Sequence, residues 1–252
     1  MEGSVDPIRD IEIINLELIF ADLQSVENRI SKVERKAKAS DKDALMELNI
    51  LTQIKTALYN NQAARSVDLT KEEALLAKNY SLLTMKPIIY IANMSEDEIS
   101  DYHSNAYYQQ VVEFAHKEHN EVIPICAKIE EELSSLDRQS KQEFLQELGI
   151  NQSGLDQVIT LAYEILGLCT YFTAGEPEVR AWTFRKGMKA PQCAGVIHSD
   201  FERGFIRAET YAFDDLIKYG SEPAIKENGK LRLEGKDYEV KDGDVMHFRF
   251  NV

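Results

Sequence analysis

The feature that most limits what this chain can fold into lies near its N-terminus. Leu16, Ile19, Leu23, Val26, Ile30, Val33 and Ala37 step by three and four through residues 10–38, with no proline or glycine inside the run. That spacing places the apolar side chains on one seam of a single long helix and leaves the charges on its other faces. The segment KASDKDA breaks the pattern, and Ser40 or Asp41 can cap a new helix there. The second helix continues the seam with Leu48, Leu51, Ile54 and Leu58. Two such helices joined by a short polar turn predict an antiparallel hairpin. Arms of about 25 residues would project roughly 35 Å at 1.5 Å per residue. The pattern suits both a packed helical subdomain and an arm that touches a partner.

The period then changes. SVDLTKEEALLAKNY, from Ser66, predicts another helix, with Thr70 and Glu73 spaced as a capping box. KPIIYIAN, bounded by Pro87 and Asn93, and EVIPICAK, residues 121–128, are short apolar runs rich in β-branched residues. Between them lies the helical stretch YYQQVVEFAHKEHN. Strand, helix, strand with apolar strands predicts a βαβ unit and a parallel sheet. Helix-favouring residues fill 128–148, and GLDQVITLAYEILGL predicts an amphipathic helix ending at Leu168. From Leu168 short strands and turns take over: TYFTAG, EVRAWTF, GFIRAETYAF and VMHFRFNV, with helical turns in APQCAGVIHSDF and DDLIKYG. About 85 residues of this texture predict an α+β domain, closed by a hairpin around Asp242-Gly243.

No apolar stretch approaches the roughly 20 residues of a membrane helix, and MEGSVDPIRD lacks the pattern of a signal peptide. Cys126, Cys169 and Cys193 are an odd number with no CxxC, which suits reduced thiols in a cytoplasmic protein. The net charge of −14 argues against a general nucleic-acid coat. The charge is uneven, however. Residues 1–167 carry 16 basic and 29 acidic side chains, and residues 168–252 carry 13 and 14. The C-terminal part is the better neighbour for RNA.

Ligands of α/β sheets bind beyond the carboxyl ends of the strands. Asn93 and Glu96 follow one such end, and Cys126-Ala127 follow the next. An amide supplies a donor and an acceptor and a carboxylate supplies acceptors, so the pair can read the edge of a purine. The residues alone leave a second reading open, in which Asn93 caps the strand and Glu96 merely opens a solvated helix. His116 and His119 share a helix face but have no third ligand nearby in sequence, so no metal site is assigned. His198 lies among Asp200, Glu202 and Arg203, where a structural or RNA-facing role competes with a catalytic one. Trp182 and Phe184 alternate with charged residues as core strand residues do, and the cysteines lie in apolar contexts typical of buried, inert thiols. No GxxxxGK[ST] loop and no GxSxG elbow occurs in the 252 residues.

Several long phrases together resemble the YchF/Obg-like ATPase family, a branch of the P-loop GTPases. They are VDPIRDIEIINLEL, KASDKDA, KPIIYIAN with NMSE, VIPICA, QELG, TYFTAGEPEVRAWTFRKGMKAPQCAGVIHSDFERGFIRAET and EGKDYEVKDGDVMHFRFNV, in order along essentially the whole chain. The resemblance implies an α/β fold: part of a P-loop NTPase sheet, an antiparallel coiled-coil insert and a C-terminal β-grasp domain of TGS type. Residues 1–10 would end a first nucleotide-domain segment, 11–81 would form the insert, 82–167 the rest of the nucleotide domain and 168–252 the TGS domain.

In that family Asn-x-x-Glu stands where ordinary GTPases carry Asn-Lys-x-Asp, a change similar to a switch towards ATP. By resemblance, Asn93, the backbone of Met94, Glu96, Cys126 and Ala127 would hold the base of ATP, or of GTP. The family further implies association with the ribosome or ribosomal RNA through the helical arm and the TGS surface. Arg180, Arg185, Lys186, Lys189, Arg203 and Arg207 form the candidate basic set there, against the alternative of a solvated face. The family's phosphate loop, its metal-binding Thr and its switch regions precede the part that matches here. The expectation is that the chain as written holds no catalytic residue and no Mg2+ ligand and does not hydrolyse ATP. The rival expectation is a non-catalytic ribosome- or RNA-binding adaptor using the arm and the TGS domain.

Overall fold

Asp6 starts the first helix. Its carboxylate accepts the Arg9 backbone N–H at 3.1 Å, and Pro7 takes the first helical position, where no N–H is needed. The computed structural model describes residues 4–38, 41–175 and 178–251. Helix α1 (Pro7–Ala37) packs on α2 (Lys42–Tyr59). Ile19, Val26, Val33 and Ala37 of the expected seam are buried against Leu51, Ile54 and Leu58, with Leu23, Ile30 and Leu48 partly buried beside them. The pairs Arg29–Glu47 (2.6 Å) and Lys55–Glu27 (3.0 Å) run in opposite senses along the two helices, so the hairpin is antiparallel. Its arms are unequal, 31 and 18 residues, rather than about 25 each. Asp41 is the cap of α2, accepting from the N–H groups of Asp43 and Ala44. Ser40, the other candidate, lies outside the described residues.

Helix α3 (Lys71–Ala77) carries the expected capping box between Thr70 and Glu73. A buried carboxylate then ties the chain back to the hairpin. Asp22 of α1 is 2% exposed. It accepts the Leu83 N–H at 2.8 Å, the Thr84 N–H at 2.7 Å and the Thr84 hydroxyl at 2.7 Å. The residues leading into the first strand are therefore fixed against the base of the arm.

The βαβ unit follows as read from the sequence: β1 (Ile89–Asn93), the short α4 (Glu96–Ile99), α5 (Ala106–Lys117) and β2 (Glu121–Ile125). The strands pair in parallel, from Ile89 opposite Glu121 to Asn93 opposite Ile125. Residues 128–148 form two helices, α6 (Ala127–Ser134) and α7 (Arg138–Glu147), with Asp137 capping the second through the Ser140 N–H at 2.9 Å. Helix α8 (Gly154–Ile165) stops short of Leu168. Gly167 takes the left-handed conformation (φ +61°) that ends it, and Leu168 opens a strand instead.

The chain divides into two compact units, Met1–Val158 and Ile159–Val252. The second is built on β3 (Leu168–Ala174), β4 (Val179–Arg185), α9 (Ala190–Ile197), α10 (Ser199–Arg203), β5 (Phe205–Ala212), α11 (Phe213–Tyr219), α12 (Glu222–Glu227), β6 (Arg232–Glu234) and β7 (Asp244–Phe250). The sheet order is β4-β3-β7-β5-β6, with β3 and β7 parallel and the other neighbours antiparallel. Tyr171, Phe184, Ala208, Met246 and Phe248 form a core with Ala190, Cys193 and Ala194 of α9. The Tyr171 hydroxyl donates to the Cys193 carbonyl at 2.8 Å, pinning that helix to the sheet.

The hairpin expected around Asp242-Gly243 is not formed. Both edges of β7 are already taken, by β3 on one side and β5 on the other. The preceding segment is held instead by the buried Asp244 carboxylate, which accepts from Tyr238 Oη (2.8 Å), the Lys241 N–H (2.9 Å) and Arg232 Nη2 (3.0 Å).

Two measurements test these packings. Asp22→Ala strands the buried Thr84 N–H and hydroxyl and frees the part-buried Leu83 N–H, so its expected cost in urea unfolding is on the order of 3 kcal/mol, and less for Asp22→Asn. In the second unit, burial pushes the Cys193 thiol from 9.0 up to about 12. Burial and the bond to Asp244 push the Tyr238 hydroxyl from 10.0 up to about 12. Folding favours their protonated forms, so this stability is whole below pH 9 and is lost as pH rises towards 12. The expected thermal midpoint, read by the single Trp182, is level between about pH 7 and pH 9 and falls above it.

Candidate functional site

The parallel register brings the carboxyl ends of β1 and β2 side by side, because Asn93 stands opposite Ile125. Three bonds then join the loops that follow. The Met94 N–H donates to the Ile125 carbonyl at 2.8 Å. The Ala127 N–H donates to Asn93 Oδ1 at 3.3 Å. Lys128 Nζ donates to Glu96 Oε2 at 2.6 Å. Asn93, Met94, Glu96, Cys126 and Ala127, nominated from the sequence, thus lie at one place.

Each residue has a distinct part. Asn93 is exposed, its Oδ1 engaged, and no acceptor among the described residues holds its Nδ2. Met94 packs its side chain on the cluster of Ile99, Cys126, Ile129, Leu133 and Leu145. Cys126 is buried in that cluster, so only its main chain serves the loop. The acidic burst after β1 is divided by role. Glu98 caps α4, accepting from the Ser95 hydroxyl (2.7 Å) and N–H (3.3 Å), and those bonds hold its carboxyl below the usual range. Glu96 turns to Lys128, whose ammonium pKa it raises. A cavity of about 310 Å3 lies behind Cys126, lined by Ile99, Glu130, Ser153 and Gln157; it does not include Asn93 or Glu96.

Lys128 was missed in the sequence. The signal was present in the register: Glu96 lies three residues beyond Asn93, and Lys128 lies three beyond its partner Ile125.

The basic set of the second unit does not converge. Arg180 stacks over Trp182 at 4.1 Å, and Arg203 is near Asp200 at 3.9 Å. Lys189 pairs with Asp237 at 2.7 Å. Arg185 stands opposite Leu168 at the start of β3, whereas Arg207 stands opposite Arg249 near the end of β7. With Phe172 opposite Val245, these are opposite ends of the sheet. Lys186 lines a cavity of about 1020 Å3 at the Arg185 end, with Tyr163, Phe172, Phe213 and Asp242. Arg249 and His247 extend the Arg207 side and were not foreseen; Arg249 is paired with Glu209 at 3.1 Å.

The chain is similar to known proteins along its length. The family model YchF-GTPase_C, described as a protein of unknown function (DUF933), matches residues 168–251. The "Ribosome-binding ATPase YchF" of Bacillus subtilis (strain 168) is 59% identical over 252 residues, all of this chain and 69% of that protein. The protein of the same name from Escherichia coli O157:H7 is 50% identical over the same shares. Among solved structures, the Schizosaccharomyces pombe YchF GTPase superposes with a TM-score of 0.87 at 35% identity, covering 99% of this chain and 68% of that one. A GTP binding protein from Pyrococcus horikoshii OT3 shares the fold, with a TM-score of 0.60 at 18% identity over 98% of this chain and 72% of that one.

Removing the Asn93 acceptor tests the joint between the loops. Asn93→Ala is expected to speed amide exchange at Ala127 by roughly tenfold, with Met94 less affected because its bond is to the backbone.

Proposed function

This chain belongs to the YchF family, and on that premise we propose that it is a ribosome-associated nucleotide-binding protein whose base site lies at the carboxyl ends of β1 and β2. The observation that carries the reading is the meeting of Asn93, Met94, Glu96, Cys126 and Ala127 across one parallel strand pair. Those groups suit a purine: an amide with an unheld Nδ2, a carboxylate and main-chain atoms, next to the apolar cluster that takes in Met94 and Cys126. In this reading residues 1–10 and 82–167 belong to the nucleotide domain, 11–81 form its helical insert and 168–252 are a TGS domain. The nucleotide is ATP in preference to GTP. Its occupancy controls how the arm and the TGS domain meet a ribosomal partner in the cytoplasm.

In this reading the nominated groups serve the base. The 252 residues contain no GxxxxGK[ST] sequence, and among the described residues no three His, Cys, Asp or Glu could together hold a metal. Phosphoryl transfer depends on positioned phosphates and metal ions. No hydrolytic step is assigned to these residues.

Calorimetric titration with ATP and GTP tests the base site. The protein carrying this chain is expected to bind ATP more tightly, and Glu96→Asp to lose part of that preference. Equal binding by the mutant and the parent would count against the site. Residues 1–252 purified alone are expected to release no phosphate from ATP above background. Loss of co-sedimentation with ribosomes on deleting residues 11–81 or 168–252 would separate the two proposed contact surfaces.

A further inference from the structure

The edge of the proposed base site holds a side chain to which no role has been given. Lys128 reaches across from the β2 loop to Glu96 at 2.6 Å. The two side chains stand at equal offsets from the paired residues Ile125 and Asn93, so the parallel register itself sets them face to face.

The pairing changes what Glu96 can accept. A carboxylate with both oxygens available matches two adjacent donors. Guanine presents two such donors on one edge, N1–H and the 2-amino group. Adenine presents one donor, the 6-amino group, next to the N1 acceptor. Here Lys128 donates to Oε2, which puts the ammonium against that oxygen and leaves Oε1 the acceptor without a partner among the described residues. The ammonium has three N–H donors and uses one on Glu96, so it brings donors of its own to the same edge. The pair therefore shows an acceptor beside a donor. That is the complement of adenine, and it sets donor against donor for guanine.

We propose that Lys128 and Glu96 act together as the specificity-determining pair for adenine at this site. The inference rests on the reading that these loops hold the base. Lys128 fixes one carboxylate oxygen and supplies a donor to the ring nitrogen, while Glu96 accepts from the exocyclic amine. The side chains are 64% and 43% exposed, so solvent screens the pair and the discrimination it provides is modest. A salt bridge that merely staples two loops behaves differently, because breaking it weakens both nucleotides alike.

The test is titration of ATP and GTP into the protein carrying this chain, as the parent and as Lys128→Ala, Lys128→Arg and Asn93→Ala. Lys128→Ala is expected to lower the ratio of ATP to GTP affinity by roughly threefold or more, and Lys128→Arg to restore most of it. Raising salt from about 50 mM to about 500 mM is expected to move the parent's ratio towards that of Lys128→Ala and to leave the alanine variant's ratio unchanged. An equal loss of both nucleotides in Lys128→Ala, or no change in either, overturns the pair's role in selection. If Asn93→Ala leaves both affinities as they were, the base site itself is misplaced, whatever Lys128 does.

Discussion

Everything in the proposed site depends on the parallel register of β1 and β2. Setting Asn93 opposite Ile125 places both strand ends at one level and sends both loops out in the same direction. The Met94 N–H then bonds to Ile125, the Ala127 N–H reaches Asn93, and Lys128 meets Glu96. A slip of β1 by one residue would carry Asn93 and Glu96 out of reach of Ala127 and Lys128 and turn that strand's side chains to the other face. Helix α5 packs against both strands, and Met94 and Cys126, which follow them, share one apolar cluster. Within the same unit, the buried Asp22 fixes the chain just ahead of β1 against the long helix. The segment entering the site is thus tied to the base of the arm by a short run of residues.

Much of this was legible in the sequence wherever the signal was local and periodic. The seam from Leu16 to Ala37 set out α1 because burial of one helix face leaves a three-and-four spacing. Thr70 and Glu73 marked a capping box that the structure contains, and the two apolar runs became the parallel strands. The residues nominated for a base site, from a four-residue pattern and a family resemblance, lie side by side at the ends of β1 and β2.

The rest was hidden because it depends on distant partners. Nothing around Asp22 announces bonds to residues 61 and 62 positions away. The turn at Asp242-Gly243 looks like a hairpin until β3 and β5 are seen to fill both edges of β7. Helix α8 ends at Ile165 because Gly167 adopts a left-handed conformation that the apolar pattern does not encode. The basic residues of the second unit seemed one set because they are close in sequence, yet Arg185 and Arg207 lie at opposite ends of the sheet. Lys128 was overlooked for a related reason: its importance comes from its counterpart on the other strand, not from its neighbours.

The central claim is that a purine base sits between the two loops. Backbone amide shifts of the protein carrying this chain, followed during an ATP titration, test it most directly. The account expects saturable shifts at Met94, Ser95, Glu96, Ala127 and Lys128, with the core strand Phe205–Ala212 unmoved. Shifts confined to the cavity of Glu130, Ser153 and Gln157, or to the second unit, would contradict it.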